Sequence, residues 1–331
     1  MKDVARLADV SVTTVSATLS GAAPVSETLQ RRVWDAVSKA GYQPDLIARN
    51  LRKGTSTTIG LVVPDIAVPW AAHLARAMQQ ALSDNGYHML FASSGDDPER
   101  EFREIALMLA HKVAGLIIAP TSLGEGYADR FVKTVRGPVV LVDRVLPDTD
   151  FDTVTDDNLY GAQLVTRYLL RLGHRQIAFL AGRPTISASY ERYDAFRLVL
   201  CDEGIALREE LMQNSVFKRE QAYSAAQQLM SLAEPPTAII CLTIAQLKGV
   251  MEGLKNMGLR VPHDVSVICF DGHHPAEGWT PSITSLSLDI AAHSQQTAKL
   301  LQAQFAGKSP SGDVVRIKPL LQIRESCRAI G

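Results

Sequence analysis

The stretch TIGLVVPD (Thr58–Asp65) is an unbroken apolar run stopped by a proline and an aspartate. A strand with one wet face alternates polar and apolar residues. This one does not, and it reads as a strand covered on both faces. The pattern returns in HMLFASS (His88–Ser94), GLIIAP (Gly115–Pro120), PVVLVDR (Pro138–Arg144), QIAFLAG (Gln176–Gly182), TAIICL (Thr237–Leu242) and VSVICFD (Val265–Asp271). Amphipathic segments of helical length separate the runs. Parallel strands need crossovers of that size, so the spacing predicts an α/β fold built from right-handed βαβ units. The series is long enough for two doubly wound parallel sheets, with a break near DTDFDTVTDDN (Asp148–Asn158). SITSLSL (Ser282–Leu288), a further helix and VVRIKPLLQIRES (Val314–Ser326) close the chain.

A chain of 331 residues predicts two or three domains, and 46% apolar with 21% charged residues is an ordinary globular composition. No apolar run approaches the roughly 18 to 20 residues that span a bilayer. The N-terminus lacks the apolar core of a signal peptide, so a cytoplasmic protein with no membrane partner is expected. The four cysteines (Cys201, Cys241, Cys269, Cys327) are widely spaced and form no CxxC pair. Cys241 and Cys269 lie inside strand-like runs and read as small buried hydrophobes. The adjacent histidines of GHH (Gly272–His274) have no carboxylate at sheet spacing and read as loop residues, so neither a metal nor a cofactor is expected.

Upstream of the first strand the pattern differs. KDVARLA (Lys2–Ala8) places Val4, Leu7 and Ala8 at helical spacing. SVTTVSATLS (Ser11–Ser20) is uncharged and rich in Ser, Thr and Val, which are poor helix formers. SETLQRRVWDAVSKAGY (Ser26–Tyr42) predicts a third helix with Ser26 as N-cap and Gly41 as its stop. Leu29, Val33, Trp34 and Val37 share one face of it and are expected to close a small core. DLIARNLRKGTSTT (Asp45–Thr58) is a short helical stretch dissolving into a polar linker. Residues 1–58 hold eight Lys/Arg against five Asp/Glu, and the remainder 26 against 30. That mild asymmetry points the small N-terminal unit toward a polyanion.

The strings KDVARLADVSVTTVSATLSG and VSETLQRRVWDAVSKAGYQPDLIARNLRKG open a series that continues with DDNLYGA, LGHRQIAFLAG, ERYDAF, VPHDVSVICFDG and PSITSL. In this order they resemble the lactose-repressor/galactose-repressor family of bacterial transcription regulators, over essentially the whole chain. The resemblance implies a helix-turn-helix headpiece (residues 1–46), a hinge helix and linker (47–58), and a periplasmic-binding-protein-like core. The core would have an N-terminal subdomain (59–155 plus 287–316) and a C-terminal one (156–286 plus 317–331). It further implies a homodimer on a palindromic double-stranded operator, acting as a repressor, with a small effector closing the cleft between the subdomains.

In a helix-turn-helix the second helix offers short side chains to base edges. Ser11 can cap that helix, Thr13, Thr14 and Ser16 can bond bases or phosphates, and Val12 can touch thymine methyls. Ala17 stands where relatives carry an arginine that reads guanine, a pairing worth about 1–3 kcal/mol of discrimination. Asp9 replaces the usual turn glycine and is among the residues that tolerate positive φ. Phosphate contacts then fall to Arg31 and Arg32, with Arg49, Arg52 and Lys53 near the hinge. Ala48, Leu51 and Arg52 share one face of a stretch too short to be helical alone. The resemblance implies paired hinge helices in the minor groove, with Leu51 wedged into a base step.

Ligands of open α/β sheets bind beyond the carboxyl ends of the strands. Those ends carry Asp65, Asp143, Arg144, Thr243 and Asp271. Carboxylates, guanidinium forks and aromatic faces are what hold sugars and similar polar ligands. By resemblance, Asp143, Arg192 and Asp271 fall on effector-contacting positions, Trp70 on an aromatic one and Phe217 on a second aromatic wall. The chain departs from relatives in reading PDIAVPWA for PDISNPFF and Thr243–Ile244 for an Asn–Asp pair, which implies an unusual effector; the expected class is a sugar, sugar acid or nucleoside, with Arg144 and Arg192 favouring a sugar or sugar acid. Nothing after Arg328 resembles a leucine-heptad tail, so a dimer is expected. The rival readings are a sugar-binding transport component and an α/β enzyme. The headpiece weighs against the first; the absence of a GxSxG elbow, a Walker loop and a GxGxxG weighs against the second, leaving no catalytic residue to name.

Overall fold

The computed structural model describes residues 1–20, 23–42, 56–122, 124–214, 217–271 and 278–331. They fall into two units, residues 1–56 and 57–331.

The first unit holds α1 (Lys2–Ala8), α2 (Val12–Ser20) and α3 (Glu27–Lys39). Its core is made of Val4, Ala5 and Ala8, Val15, and Val33 and Ala36, with Val10, Leu19, Val37 and Tyr42 half-buried around them. One expectation, that Trp34 closes the core, needs correcting. Leu7 and Trp34 are 54% and 52% exposed. Both lie one residue beside a buried position, so the helical rotation carries them off the packed stripe, and small alanines take their places and let short helices approach. Asp9 ends α1 in the left-handed region at φ 51 and ψ 53. The Arg32 guanidinium donates to the Ala8 and Asp9 carbonyls at 2.6 and 3.2 Å, and its Nη2 lies 3.4 Å from the Asp9 carboxylate. Arg32 thus satisfies carbonyls that α1 leaves open at its end. Ser11 caps α2, its Oγ accepting from the Thr14 N–H at 3.0 Å. Ser26 holds the N-cap position of α3 with no side-chain cap bond.

The second unit holds two sheets of six strands. The first has the order β11-β5-β4-β3-β1-β2, from β1 (Thr58–Val63), β2 (His88–Ser93), β3 (Gly115–Ile118), β4 (Val139–Val142), β5 (Thr153–Asp156) and β11 (Val314–Ile317). All its pairings are parallel. The second has the order β12-β10-β9-β8-β6-β7, from β6 (Ile177–Leu180), β7 (Met212–Gln213), β8 (Ala238–Cys241), β9 (Ser266–Cys269), β10 (Thr284–Ser287) and β12 (Leu320–Gln322). Only the β10–β12 pair is antiparallel. Each sheet reverses its strand order beside its first strand, which places a ligand crevice there.

Helices cover both faces. They are α4 (Pro69–Ser83), α5 (Pro98–Ala110), α6 (Tyr127–Thr134), α7 (Asn158–Arg171), α8 (Ser187–Asp202), α9 (Arg219–Met230), α10 (Ile244–Asn256) and α11 (Ile290–Phe305). The chain passes between the sheets after β5, between β10 and α11, and between β11 and β12, because α11 buries Ala298 and Leu301 against the first sheet. The segment read as a break contains β5. Its polar sequence TVTD is fully buried, and Thr155 Oγ1 donates to the Asp143 carbonyl at 2.7 Å, so the hydroxyl is satisfied inside. Among the described residues no helix is long and apolar enough to cross a membrane.

Candidate functional site

The carboxyl ends of β1, β2 and β4 from one sheet, and of β6, β8 and β9 from the other, open onto one cavity of about 1050 Å³. Pockets that hold small molecules run to about 300–1,000 Å³. Asp65, Trp70, Asp143, Arg144, Arg192, Phe217, Thr243 and Asp271 all line it.

Its charged centre is built where the chain passes from one sheet to the other. Asp143 follows β4 at φ 65, and its carboxylate lies 3.4 Å from Arg144 Nε. Arg192, on α8, donates from Nε to Asn158 Oδ1 at 2.8 Å and stacks its guanidinium 5.0 Å above the Phe270 ring. Asp156 ends β5 beneath this group, 4% exposed, and its Oδ2 has no hydrogen-bond partner among the described residues. Burial pushes the Asp156 carboxyl up to about 7, Asp143 and Asp271 push the same way, and Arg192 opposes them. Burial also raises Asp143, against the pull of Arg144 and Arg192. Arg144 and Arg192 thus share a partly dry site with several carboxylates.

The other lining residues divide into supports and walls. Asp65 spends one oxygen on the turn into α4, accepting from the Ala67 N–H at 2.9 Å. Thr243 caps α10 and accepts from the Gln246 N–H at 3.2 Å. Trp70 is half-buried in the wall, and its indole Nε1 has no partner among the described residues. The Phe217 ring lies close over Gly182, where an added Cβ would come within 2.8 Å of it.

Sequence reasoning missed Asp96, Arg183 and Ser189 in the lining, and Asp156 below it. Arg183 directly follows QIAFLAG, so the strand-end rule that found Asp143 could have found it. Asp96 follows HMLFASS after a short loop. Nothing in the sequence marks Ser189, which sits inside a helix.

In the headpiece, Ser11, Val12 and Thr13 are exposed, and Thr14, Ser16 and Ala17 are half-buried. Ser11 Oγ and Thr14 Oγ1 are 2.8 Å apart, so both hydroxyls already serve the cap. Arg31 is exposed on α3. Arg32, grouped with it as a phosphate contact, is instead turned inward onto α1. Ala48, Arg49, Leu51, Arg52 and Lys53, and the GHH histidines, lie outside the described residues.

A helix-turn-helix unit followed in the chain by a two-sheet binding core is the make-up of a DNA-binding transcription regulator with a small-molecule site. Residues 1–45 match the family described as “Bacterial regulatory proteins, lacI family”, and residues 56–308 match “Periplasmic binding proteins and sugar binding domain of LacI family”. The chain belongs to the LacI family. It is 27% identical to the HTH-type transcriptional repressor PurR of Mannheimia succiniciproducens, over 100% of this chain and 99% of the relative. Relatives of this kind are transcriptional repressors, not enzymes. Its fold matches the lac repressor dimer bound to operator and the anti-inducer ONPF, at TM-score 0.87 and 23% identity over 99% and 98% of the two chains. It also matches the transcriptional regulator CelR in its cellobiose complex, at TM-score 0.73 and 26% identity over 98% of each chain.

Proposed function

We propose that the protein binds a palindromic operator as a homodimer, represses from it, and is controlled by a sugar or sugar derivative held in the cleft between the two sheets. The supporting observation is the convergence of eight residues from both sheets on one cavity. Carboxylates and a guanidinium are paired there with aromatic faces, the donor set that hydroxyl-rich ligands require.

On the DNA side, Val12 and Thr13 face solvent from α2 and read bases, with Ser16 and Ala17 beside them, while Ser11 and Thr14 hold the helix end. Arg31 supplies a phosphate contact, and the stretch holding Ala48, Arg49, Leu51 and Arg52 acts as the hinge. The dimer is supported by apolar side chains left exposed on edge strand β2 (Leu90, Phe91) and on α5 (Leu107). Repression from DNA places the protein in the cytoplasm.

The test is a paired titration. Leu51→Ala should weaken operator binding strongly and leave effector binding intact, and removal of residues 1–58 should abolish DNA binding while the core still binds its effector. Unchanged operator affinity in Leu51→Ala would remove the hinge role.

A further inference from the structure

We propose that the effector of the cleft is an anion, a polyol bearing a carboxylate or phosphate, whose seat on Arg183 and Arg144 is held by the Asp96 carboxylate while the core is unliganded. The proposal rests on the cleft reading above and adds the ligand's charge to it.

Asp96 stands at the tip of a tight turn leaving β2. Gly95 and Asp96 have φ of 67 and 57, and the Asp97 N–H closes the turn onto the Ser94 carbonyl at 3.2 Å. Two successive positive φ values suit Gly and Asp, and the turn displays the Asp96 side chain into the cavity. Its two oxygens go to two arginines carried by different sheets. Oδ2 accepts from Arg183 Nη2 at 2.7 Å, and Oδ1 from Arg144 Nη1 at 3.3 Å. Arg183 follows β6 on the second sheet and Arg144 follows β4 on the first.

Each guanidinium is also held by a group other than Asp96. Arg183 stacks 4.8 Å above the Phe217 ring, and Arg144 donates from the same Nη1 to the Pro120 carbonyl at 2.9 Å. The result is a two-arginine receptor for one oxyanion, prepared on both sides of the cleft. An acidic ligand brings the same chemistry that Asp96 supplies and competes for the same donors.

The balance of the wall points the same way. It carries six Lys or Arg side chains against four Asp, and Lys218 and Lys248 form no ion pair among the described residues. If Asp96 withdraws, the positive surplus of the wall grows. A neutral sugar that displaced Asp96 would leave Arg183 without a counter-charge and Arg144 with Asp143 alone, 3.4 Å from its Nε.

The experiment uses the full-length protein with glucose, gluconate, glucose 6-phosphate and inorganic phosphate, read first by thermal unfolding and then by calorimetric titration. Gluconate or glucose 6-phosphate should stabilise the protein where glucose does not. The two separate a carboxylate from a phosphate, and inorganic phosphate tests whether the oxyanion alone suffices. Asp96→Asn, which removes the internal competitor, should tighten anion binding by about tenfold, and Arg183→Gln should weaken it by at least about tenfold. No stabilisation by any anionic probe, or weaker anion binding in Asp96→Asn, overturns the proposal. Glucose binding as tightly as gluconate, with both lost in Arg192→Gln, sinks the charge assignment alone. Binding that ignores Arg192→Gln overturns the cleft reading beneath it.

Discussion

Arg316, on β11 of the first sheet, grips Glu191, on α8 beside the second, with both of its terminal nitrogens, at 2.7 and 3.1 Å. Glu191 also accepts from Asn158 Nδ2 at 2.9 Å, and Asn158 Oδ1 in turn accepts from Arg192. A continuous polar chain therefore runs from one sheet, through the segment where the chain crosses over, to the guanidinium facing the cavity. The side chain of Glu191 is 13% exposed and that of Arg316 32%, so the bidentate pair is only partly shielded from the solvent that weakens surface ion pairs. Glu191→Gln should leave the fold intact but release Arg192 from its fixed orientation, weakening effector binding by about tenfold. Calorimetric titration of the variant checks this, with operator affinity in the absence of effector as the control that should not move.

Asp156 makes stability depend on pH. Its carboxyl is raised to about 7 in the folded protein, against an ordinary value of 3.8. Below about pH 4 both states are protonated and the group contributes no difference. From there to about pH 7 the unfolded chain ionises while the folded protein keeps its proton, so stability falls as pH rises, by a few kcal/mol in total. Above pH 7 both states are ionised and the loss is complete. An asparagine is neutral throughout, so Asp156→Asn should raise the melting temperature at pH 8 and leave it unchanged near pH 4. Asp143 is shifted in the same direction and adds a slope of its own to both curves, so the difference between them reports Asp156 together with its coupling to Asp143. A difference that does not vary with pH would refute the burial account.

The strands with apolar sequences and the polar residues just beyond them were legible because burial on two faces and a ligand crevice both leave local marks. Asp143, Thr243 and Asp271 could be located by that rule alone. What stayed hidden depends on partners distant in sequence. TVTD does not look like a strand, since the Asp143 carbonyl that satisfies the Thr155 hydroxyl and the burial that raises the Asp156 carboxyl are supplied only by the fold. Asp96 and Arg183 lie 87 positions apart, and no periodicity links them. Trp34 was misassigned because spacing gives a face only to within about one residue, and in a unit this small one residue separates core from solvent.

The pairing of α9 with α10 depends on a glycine. A Cβ at Gly249 would lie 2.1 Å from the Arg219 carbonyl oxygen and 2.7 Å from the Tyr223 nitrogen, both backbone atoms of the facing helix. Alanine gains about 1 kcal/mol in helix propensity over glycine, but here the helices would have to part, and overpacking of this kind costs about 1–3 kcal/mol or more. The clash should win. Gly249→Ala is expected to be destabilising by about 2 kcal/mol in urea unfolding. At Gly253 the tightest approach is 3.0 Å, to the Tyr223 carbonyl, so Gly253→Ala should be close to neutral.

Arg31 and Arg32 are adjacent on α3 and should separate cleanly when mutated. Arg32 is bound to the end of α1, where it answers two carbonyls and the Asp9 carboxylate. Arg32→Ala should destabilise the headpiece by about 1 kcal/mol, the ordinary worth of such contacts at a half-exposed site. Operator affinity would then fall only through the unfolded fraction, and its dependence on salt would not change. Arg31 has no such internal duty among the described residues and presents its charge to solvent. If it meets a phosphate, Arg31→Ala should leave the melting temperature alone, weaken binding to operator and random DNA alike, and lower the slope of log K against log salt by about 1. Operator titrations at several salt concentrations, run beside thermal unfolding of each variant, distinguish the two residues. An unchanged salt slope in Arg31→Ala would leave headpiece grip on the phosphates to other residues.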